Sequence, residues 1–409
     1  MSRRAAGALV ACLAAVWAVC AWLLWRSSVP SSLHLAHIDT AATYPAAALH
    51  RADGYDRGAS LLWLAGVVIE LVVFALYAWK GAVFARESAA GPVGTGLMLG
   101  MIGFGLLWLA EIPATVLTLW WDRRYGVSHQ SYVSAILGGW LLLGFTFLSL
   151  CAALAVVMGL ARWVGDWWWL PAAPVFVGLA TLFAFVTPYL IQTHPIEDPA
   201  LKSIVAQLER REGVHVPVRI EDISSDTSLP NAEATGLGPS RRVIVWSTML
   251  DGRFSDGEIR VVLGHELGHL KSNHIWKSVG WYALFALPGA FLISRIARRR
   301  GGMGEPAAVP LAVFTLVVLS LLALPFQNAI TRHMEAEADW RALQATRDPK
   351  DASALFKSFV GEALSNPSPP TWEYLLLEDH PTIDQRVAMV RAWQARYATS
   401  ASASEAQLP

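Results

Sequence analysis

Seven stretches of this 409-residue chain are long and apolar enough to cross a lipid bilayer, near residues 5–25, 60–79, 95–119, 135–160, 168–191, 276–294 and 308–330. Nothing else in the sequence constrains the fold as much. A spanning segment needs ~20 largely apolar residues, and in lipid it must satisfy its own backbone polar groups, which a helix does. The expected fold class is therefore mainly α, a multi-span membrane protein with about seven transmembrane helices. Composition agrees: 54% of residues are hydrophobic and only 16% are charged. Tryptophans gather at the ends of the runs, at Trp22, Trp25, Trp79, Trp120, Trp121, Trp167, Trp168 and Trp169, where an amphipathic ring sits at headgroup level. The first run follows Arg3 and Arg4. It is read as a span rather than a cleaved signal peptide, because Trp22-Leu23-Leu24-Trp25 stands where a small-residue cleavage site would be needed.

These runs divide the chain into a five-span region (1–191), a polar segment (192–275), two further spans (276–330), a second polar segment (331–395) and a tail (396–409). The tail ends "ATSASASEAQLP" and is expected to be disordered. In the first polar segment Val216, Val218 and Ile220 alternate like a half-buried strand, and "RRVIVWSTML" reads as a second strand after a turn at Gly236-Leu237-Gly238-Pro239. Ser255 and Glu258 have capping-box spacing, so a helix should start there. Cys12, Cys20 and Cys151 all fall inside expected spans, which excludes a disulfide framework and a cysteine-rich metal site. A formal net charge of zero gives no sign of a nucleic-acid partner, and the basic run between Arg295 and Arg300 borders a span and reads as a topology signal. Arg3, Arg4, Lys80, Arg86, Arg162, Arg295, Arg298, Arg299 and Arg300 would share the face of the N-terminus, against Arg26, Arg51, Arg57, Arg123 and Arg124 opposite. This bias favours a cytoplasmic N-terminus and, with seven spans, places both polar segments outside the cytoplasm.

The helix after Ser255 carries "VVLGHELGHL", residues 261–270. Positions four apart share a helix face, so His265 and His269 can aim at one point, the spacing of a zinc hydrolase site. Glu266 would stand beside the metal, placed to take a proton from water. Histidines satisfying ordinary helix-surface hydrogen bonds would give the same short match. Gly264 and Gly268 weigh against that, since each costs about 1 kcal/mol in a helix interior and is better understood where another helix or a metal site approaches. A catalytic zinc takes three protein ligands. His274, five residues past His269, would lie well round a continuing helix, so a surface or supporting role is expected for it. In "TRHMEAEADWRAL", residues 331–343, Glu335 and Asp339 can share a face as third ligand and supporting acid, or belong to a solvated acidic face; Glu337 is assigned to the solvated face.

A long hydrophobic N-terminal region, "HELGHLKSNH", two spans and then "TRHMEAEAD" together resemble the type I CAAX prenyl endopeptidase family, integral-membrane zinc proteases with a gluzincin core. The resemblance covers most of the chain. Arg332, Glu335, Ala338 and Asp339 match the family's second motif, with Thr331 where a serine is typical. It implies Glu335 as third ligand and Asp339 as the acid behind a ligand histidine. "LPNAEATGLGPSRRVIVWSTML" is similar to the family's Asn-Ala segment and edge strand, implying that Asn231 and Ala232 pair with the substrate backbone. "DHPTIDQR" resembles its His-Pro element, implying that His380 steadies an oxyanion and Arg386 holds the segment; taken without the family, His380-Pro381 is a turn with a histidine. The resemblance also implies a helix-lined, hydrated chamber and a small α+β zincin-like catalytic domain. Glu70 and Glu111, inside expected spans, agree with a wet interior, although either could snorkel from a span end.

The expectation is an integral-membrane zinc metalloendopeptidase, monomeric, with one Zn2+ per chain and a peptide or protein substrate. The rivals are a non-enzymatic zinc-stabilised scaffold, chaperone or transporter, and a quality-control protease of the four-span heat-shock type, which the five hydrophobic runs before the motif disfavour.

Overall fold

The structure is a computed structural model that describes residues 3–87 and 90–405. Its first half is helical: α1 (Arg3–Leu24), α2 (Thr40–Thr43), α3 (Ala46–Lys80), α4 (Gly91–Tyr125), α5 (Tyr132–Val164) and α6 (Trp169–Leu190). A mixed segment follows, β1 (His194–Pro195), α7 (Pro199–Glu212), β2 (Val218–Glu221), β3 (Ala232–Thr235), β4 (Arg242–Trp246) and α8 (Asp256–Lys271). The remainder is α9 (His274–Ala297), α10 (Val309–Thr346), α11 (Pro349–Glu362), α12 (Thr371–Leu376) and α13 (Ile383–Glu405). Among the described residues, 6 helices are long and apolar enough to cross a membrane, and the apolar stretch Ala11–Leu24 of α1 is shorter. All seven expected runs are thus helical.

Two boundaries differ from expectation. No stop signal separates the last span from "TRHMEAEADWRAL", and α10 runs unbroken for 38 residues through Pro325, about 57 Å at 1.5 Å per residue. The tail stays helical to Glu405 instead of becoming irregular at residue 396, and residues 406–409 lie outside the described residues.

The chain forms two compact units. One comprises Gly58–Leu182 and Val279–Leu324. Its core includes Phe74, Tyr77, Leu99, Met158, Trp168 and Val309, and its helices meet over small residues on α4. A Cβ on Gly96 would lie 2.1 Å from Met158 Sδ, one on Gly100 2.4 Å from Leu154 Cδ1, and one on Gly103 2.7 Å from Tyr77 Cε1. In lipid, where apolar burial drives little association, such close approach is what holds helices together.

The other unit comprises Met1–Arg57, Phe183–Ser278 and Pro325–Pro409. Residues 26–57 therefore group with the polar segments, not with the five-span region assigned from sequence. Long-range bonds are the reason. Ser28 N donates to Glu337 Oε1 at 2.9 Å, Thr40 Oγ1 and Tyr44 OH donate to Asp384 at 2.6 and 2.7 Å, and Ile38 and Tyr44 enter the core.

This unit holds a four-stranded sheet of order β1-β2-β4-β3. Val243, Ile244 and Val245 of the central strand β4 are all buried, as expected where both faces are covered. Strand β2 pairs with β4 in parallel, and β3 is an antiparallel edge. The expected turn between β3 and β4 is present, and Gly236 has φ 88°, with a Cβ placed only 2.4 Å from Ser240 O. No other residue fits there without moving backbone. The capping box starts α8 as expected: Ser255 Oγ accepts from Glu258 N at 3.3 Å, and Ser255 N donates to Glu258 Oε2 at 2.8 Å.

Candidate metal centre

Helix α8 is buried along most of its length and presents His265 and His269 one turn apart. Their ring centroids are 4.7 Å apart. Gly264 and Gly268 lie about 100° round the helix from the histidines, where α10 packs: Cβ atoms there would lie 3.4 Å from Ala342 Cα and 2.8 Å from Arg341 Cβ, respectively. The glycines let α10 lie against α8 closely enough for Glu335 to reach the histidines.

His265 Nε2 lies 3.0 Å from Glu335 Oε2 and 3.0 Å from His269 Nε2, and His269 Nε2 lies 3.4 Å from Glu335 Oε1. Among the described residues these three form the one grouping of His, Cys, Asp or Glu side chains able to hold a metal ion. Donors bound tetrahedrally at 2.0–2.2 Å stand about 3.3–3.5 Å apart. Two imidazole nitrogens and one carboxylate, largely buried, thus fit a divalent ion with one coordination position open.

Asp339, one turn beyond Glu335, is 1% exposed. Its Oδ1 accepts from His265 Nδ1 at 2.9 Å and from Arg386 Nη2 at 2.6 Å, and its Oδ2 accepts from Arg386 Nε at 2.8 Å. Burial raises the Asp339 carboxyl, but Arg386 and His265 outweigh it and hold the group below its ordinary value. Burial likewise lowers His265, against Asp339 and Glu335, which raise it to about 9. Glu335, raised by burial, is held well below the usual carboxylate range by His269, His380 and His265. Glu266 is different. Burial dominates there and pushes its carboxyl up, which suits a group that must accept a proton.

Arg332 also lies on α10. It donates to the carbonyls of Tyr374, at 2.6 Å, and Glu378, and its guanidinium lies 4.2 Å from the centroid of the Tyr374 ring. It pins the segment that leads to His380. His380 Nδ1 lies 2.7 Å from Asp379 Oδ1, and its Nε2 lies 3.1 Å from Glu335 Oε2.

His265, Glu266 and His380 line a cavity of ≈ 360 Å³, with Asn231 and Ala232 on its wall and apolar side chains including Met249, Val261, Phe356 and Phe359. Asn231 O accepts from Trp246 N at 3.0 Å. Because hydrogen-bonding direction alternates along a strand, Ala232 and Ala234 turn their N–H and C=O away from β4. The Ala234 backbone lies beside the Glu266 carboxyl and favours its charged form.

Of two neighbours of the centre, His274 takes the supporting place that was one of its two expected roles, and Glu337 departs from expectation. Helix α8 ends at Lys271, and Asn273, at φ 54°, reverses the chain before α9. His274 therefore turns back and places Nδ1 2.9 Å from His269 Nδ1. The signal was the asparagine, a residue that tolerates the left-handed conformation closing a helix. Glu337 is not solvated. It is 4% exposed and receives His274 Nε2 at 3.1 Å and Lys277 Nζ at 2.9 Å. Burial lowers His274 to about 4, against the pull of Glu337, so its ring is neutral.

A sequence profile described as Peptidase family M48 matches residues 195–394. Over 391 residues the chain is 25% identical to a protein named uncharacterized metalloprotease YhfN from Bacillus subtilis, covering 88% of this chain and 89% of that one. It is 30% identical over 222 residues to a protease HtpX homolog from Kineococcus radiotolerans, 48% of this chain and 74% of the relative. A second HtpX homolog, from Leuconostoc citreum, is 30% identical over 220 residues, 48% of this chain and 70% of the relative. Among solved structures, S. mikatae Ste24p superposes with a TM-score of 0.73 at 18% identity, covering 92% of this chain and 96% of that one.

Proposed function

From the premise that this chain belongs to peptidase family M48, we propose that its metal is zinc, one ion per chain, held by His265, His269 and Glu335. The chain is a multi-span membrane metalloprotease of the type I CAAX protease-like kind, with a Ste24p-like fold, and the non-enzymatic scaffold reading is not favoured. What carries the proposal is the convergence of two α8 imidazoles and a carboxylate 70 residues away within 3.0–3.4 Å, backed by the Asp339–Arg386 fork behind His265.

When bound, zinc supplies water acidified to about neutral pKa and polarises the scissile carbonyl. The chain does the rest. Ala232 pairs with the peptide backbone by strand addition at the edge of the sheet, and Asn231 lines the same wall. Glu266 takes the proton of the attacking water on its carboxylate and delivers it to the nitrogen of the leaving amine as the C–N bond breaks. His380 donates from Nε2 to the oxyanion, a position supported by its 3.1 Å approach to Glu335. Asp339 keeps the proton of His265 on Nδ1, so that Nε2 offers its lone pair. Arg386 holds Asp339, and Arg332 holds the turn bearing His380.

Treating the detergent-purified chain with a strong chelator should abolish cleavage of an unstructured peptide, and stoichiometric Zn2+ should restore it. Cleavage that survives with less than a tenth of an equivalent of metal would overturn the reading.

We place the active site outside the cytoplasm, on the Lys and Arg bias of the connections. A reporter fused after Pro409 should then be active only when it is one that works outside the cytoplasm; activity of a cytoplasmic reporter would reverse the assignment. Glu70 and Glu111, half-buried on α3 and α4, support water within the helical bundle.

A further inference from the structure

The two ligand histidines are supported differently. His265 Nδ1 meets a carboxylate directly, at Asp339. His269 Nδ1 meets a second imidazole, His274 Nδ1, at 2.9 Å, and only beyond it, 3.1 Å from His274 Nε2, comes the carboxylate of Glu337.

Proton counting sets every direction in this chain. A ligand nitrogen presents a lone pair, so a neutral His269 coordinating through Nε2 carries its proton on Nδ1. Among the described residues the partner of that proton is His274 Nδ1, which must then be a bare acceptor. The proton of His274 is consequently on Nε2 and is donated to Glu337 Oε2. Glu337 is held in turn: Ser28 N donates to Oε1 at 2.9 Å, and Lys277 Nζ donates to Oε2 at 2.9 Å and to Arg26 O at 2.8 Å. With both ring nitrogens engaged in this way, His274 has no lone pair left for the metal.

We propose that His274 and Glu337 are positioning residues for the ligand His269, fixing its tautomer and ring orientation through a two-step relay anchored on the Arg26–Ser28 segment after the first span. The inference rests on His265, His269 and Glu335 holding the metal. It makes the segment after the first span part of the metal's support, and it gives the second histidine the function that Asp339 serves for the first. An acceptor behind a metal-bound histidine is worth roughly 10–100-fold in metal affinity.

The test uses the full chain in detergent, with Zn2+ affinity read by competition with a chromophoric chelator and unfolding midpoints read on the metal-free protein. His274→Phe, which keeps a ring but no acceptor, should weaken Zn2+ binding by roughly 10–100-fold. His274→Asn, whose Oδ1 can accept near the position of Nδ1, should recover most of that loss. Glu337→Met should weaken binding in the same direction, and it decides the matter if His274→Phe does not fold. A merely structural role would lower the midpoints of the Phe and Asn variants alike and leave Zn2+ affinity unchanged, and that outcome overturns the relay. His269→Ala separates the two levels. If it leaves Zn2+ affinity intact, the metal assignment itself fails and the relay with it; if it abolishes binding while His274→Phe and Glu337→Met bind as wild type, the relay alone is overturned.

Discussion

Glu266→Gln is expected to leave the metal bound and to lower peptide cleavage by about 10²–10⁴-fold, the usual worth of a positioned proton-transfer group. The amide is nearly isosteric with the carboxylate, so the packing of the buried side chain is kept. Basicity is lost. A carboxamide cannot take the proton of the attacking water and so has none to return to the leaving amine. Glu266 is not one of the three residues whose donor atoms converge, and this is why metal content and rate should separate. Metal analysis and peptide turnover on one preparation make the check. A rate within a few fold of wild type with metal retained would remove Glu266 from the mechanism, and loss of both together would make it a ligand.

Features that depend on local spacing were legible in the sequence. The i, i+4 histidines and the capping box specify α8, and the two glycines point to close approach by another helix or a metal site, of which α10 is the neighbour found. Glu335 and Asp339 share a helix face as their spacing requires. What depends on the reversal of a helix or on distant partners was not legible. A supporting role for His274 is expected, but not its route: a continuing α8 would carry it well round the helix, whereas one left-handed residue, Asn273, turns it back to His269. Glu337 sits between two inward-facing acids, on what a helix-wheel argument assigns to solvent. The residues that bury it, Ser28 and Lys277, stand 309 and 60 positions away. The same limit explains why residues 26–57 were assigned to the membrane region: Tyr44 and Thr40 meet Asp384 more than 300 residues along the chain. An apolar-run reading has no access to such pairs.

Arg386→Met should cost about 3–5 kcal/mol of stability, because it leaves a buried carboxylate without its cation. Asp339 is 1% exposed and depends on Arg386 for two of its three hydrogen bonds, at 2.6 and 2.8 Å. Arg386 is itself 8% exposed and stacks 4.2 Å from the centroid of the Phe356 ring, a packing that methionine partly retains. The loss is therefore chiefly electrostatic. Removing both charges tests this. Arg386→Met with Asp339→Asn should unfold later in denaturant than Arg386→Met alone, since an amide without a cation is far cheaper to bury than a carboxylate without one. Arg386→Lys should fall between wild type and the methionine variant, keeping a charge but losing the fork. If Arg386→Met is no less stable than wild type, the fork carries no weight. If the double variant is as unstable as the sum of its parts, Asp339 and Arg386 act independently, and the line from α13 through Asp339 to His265 is not what holds that ligand.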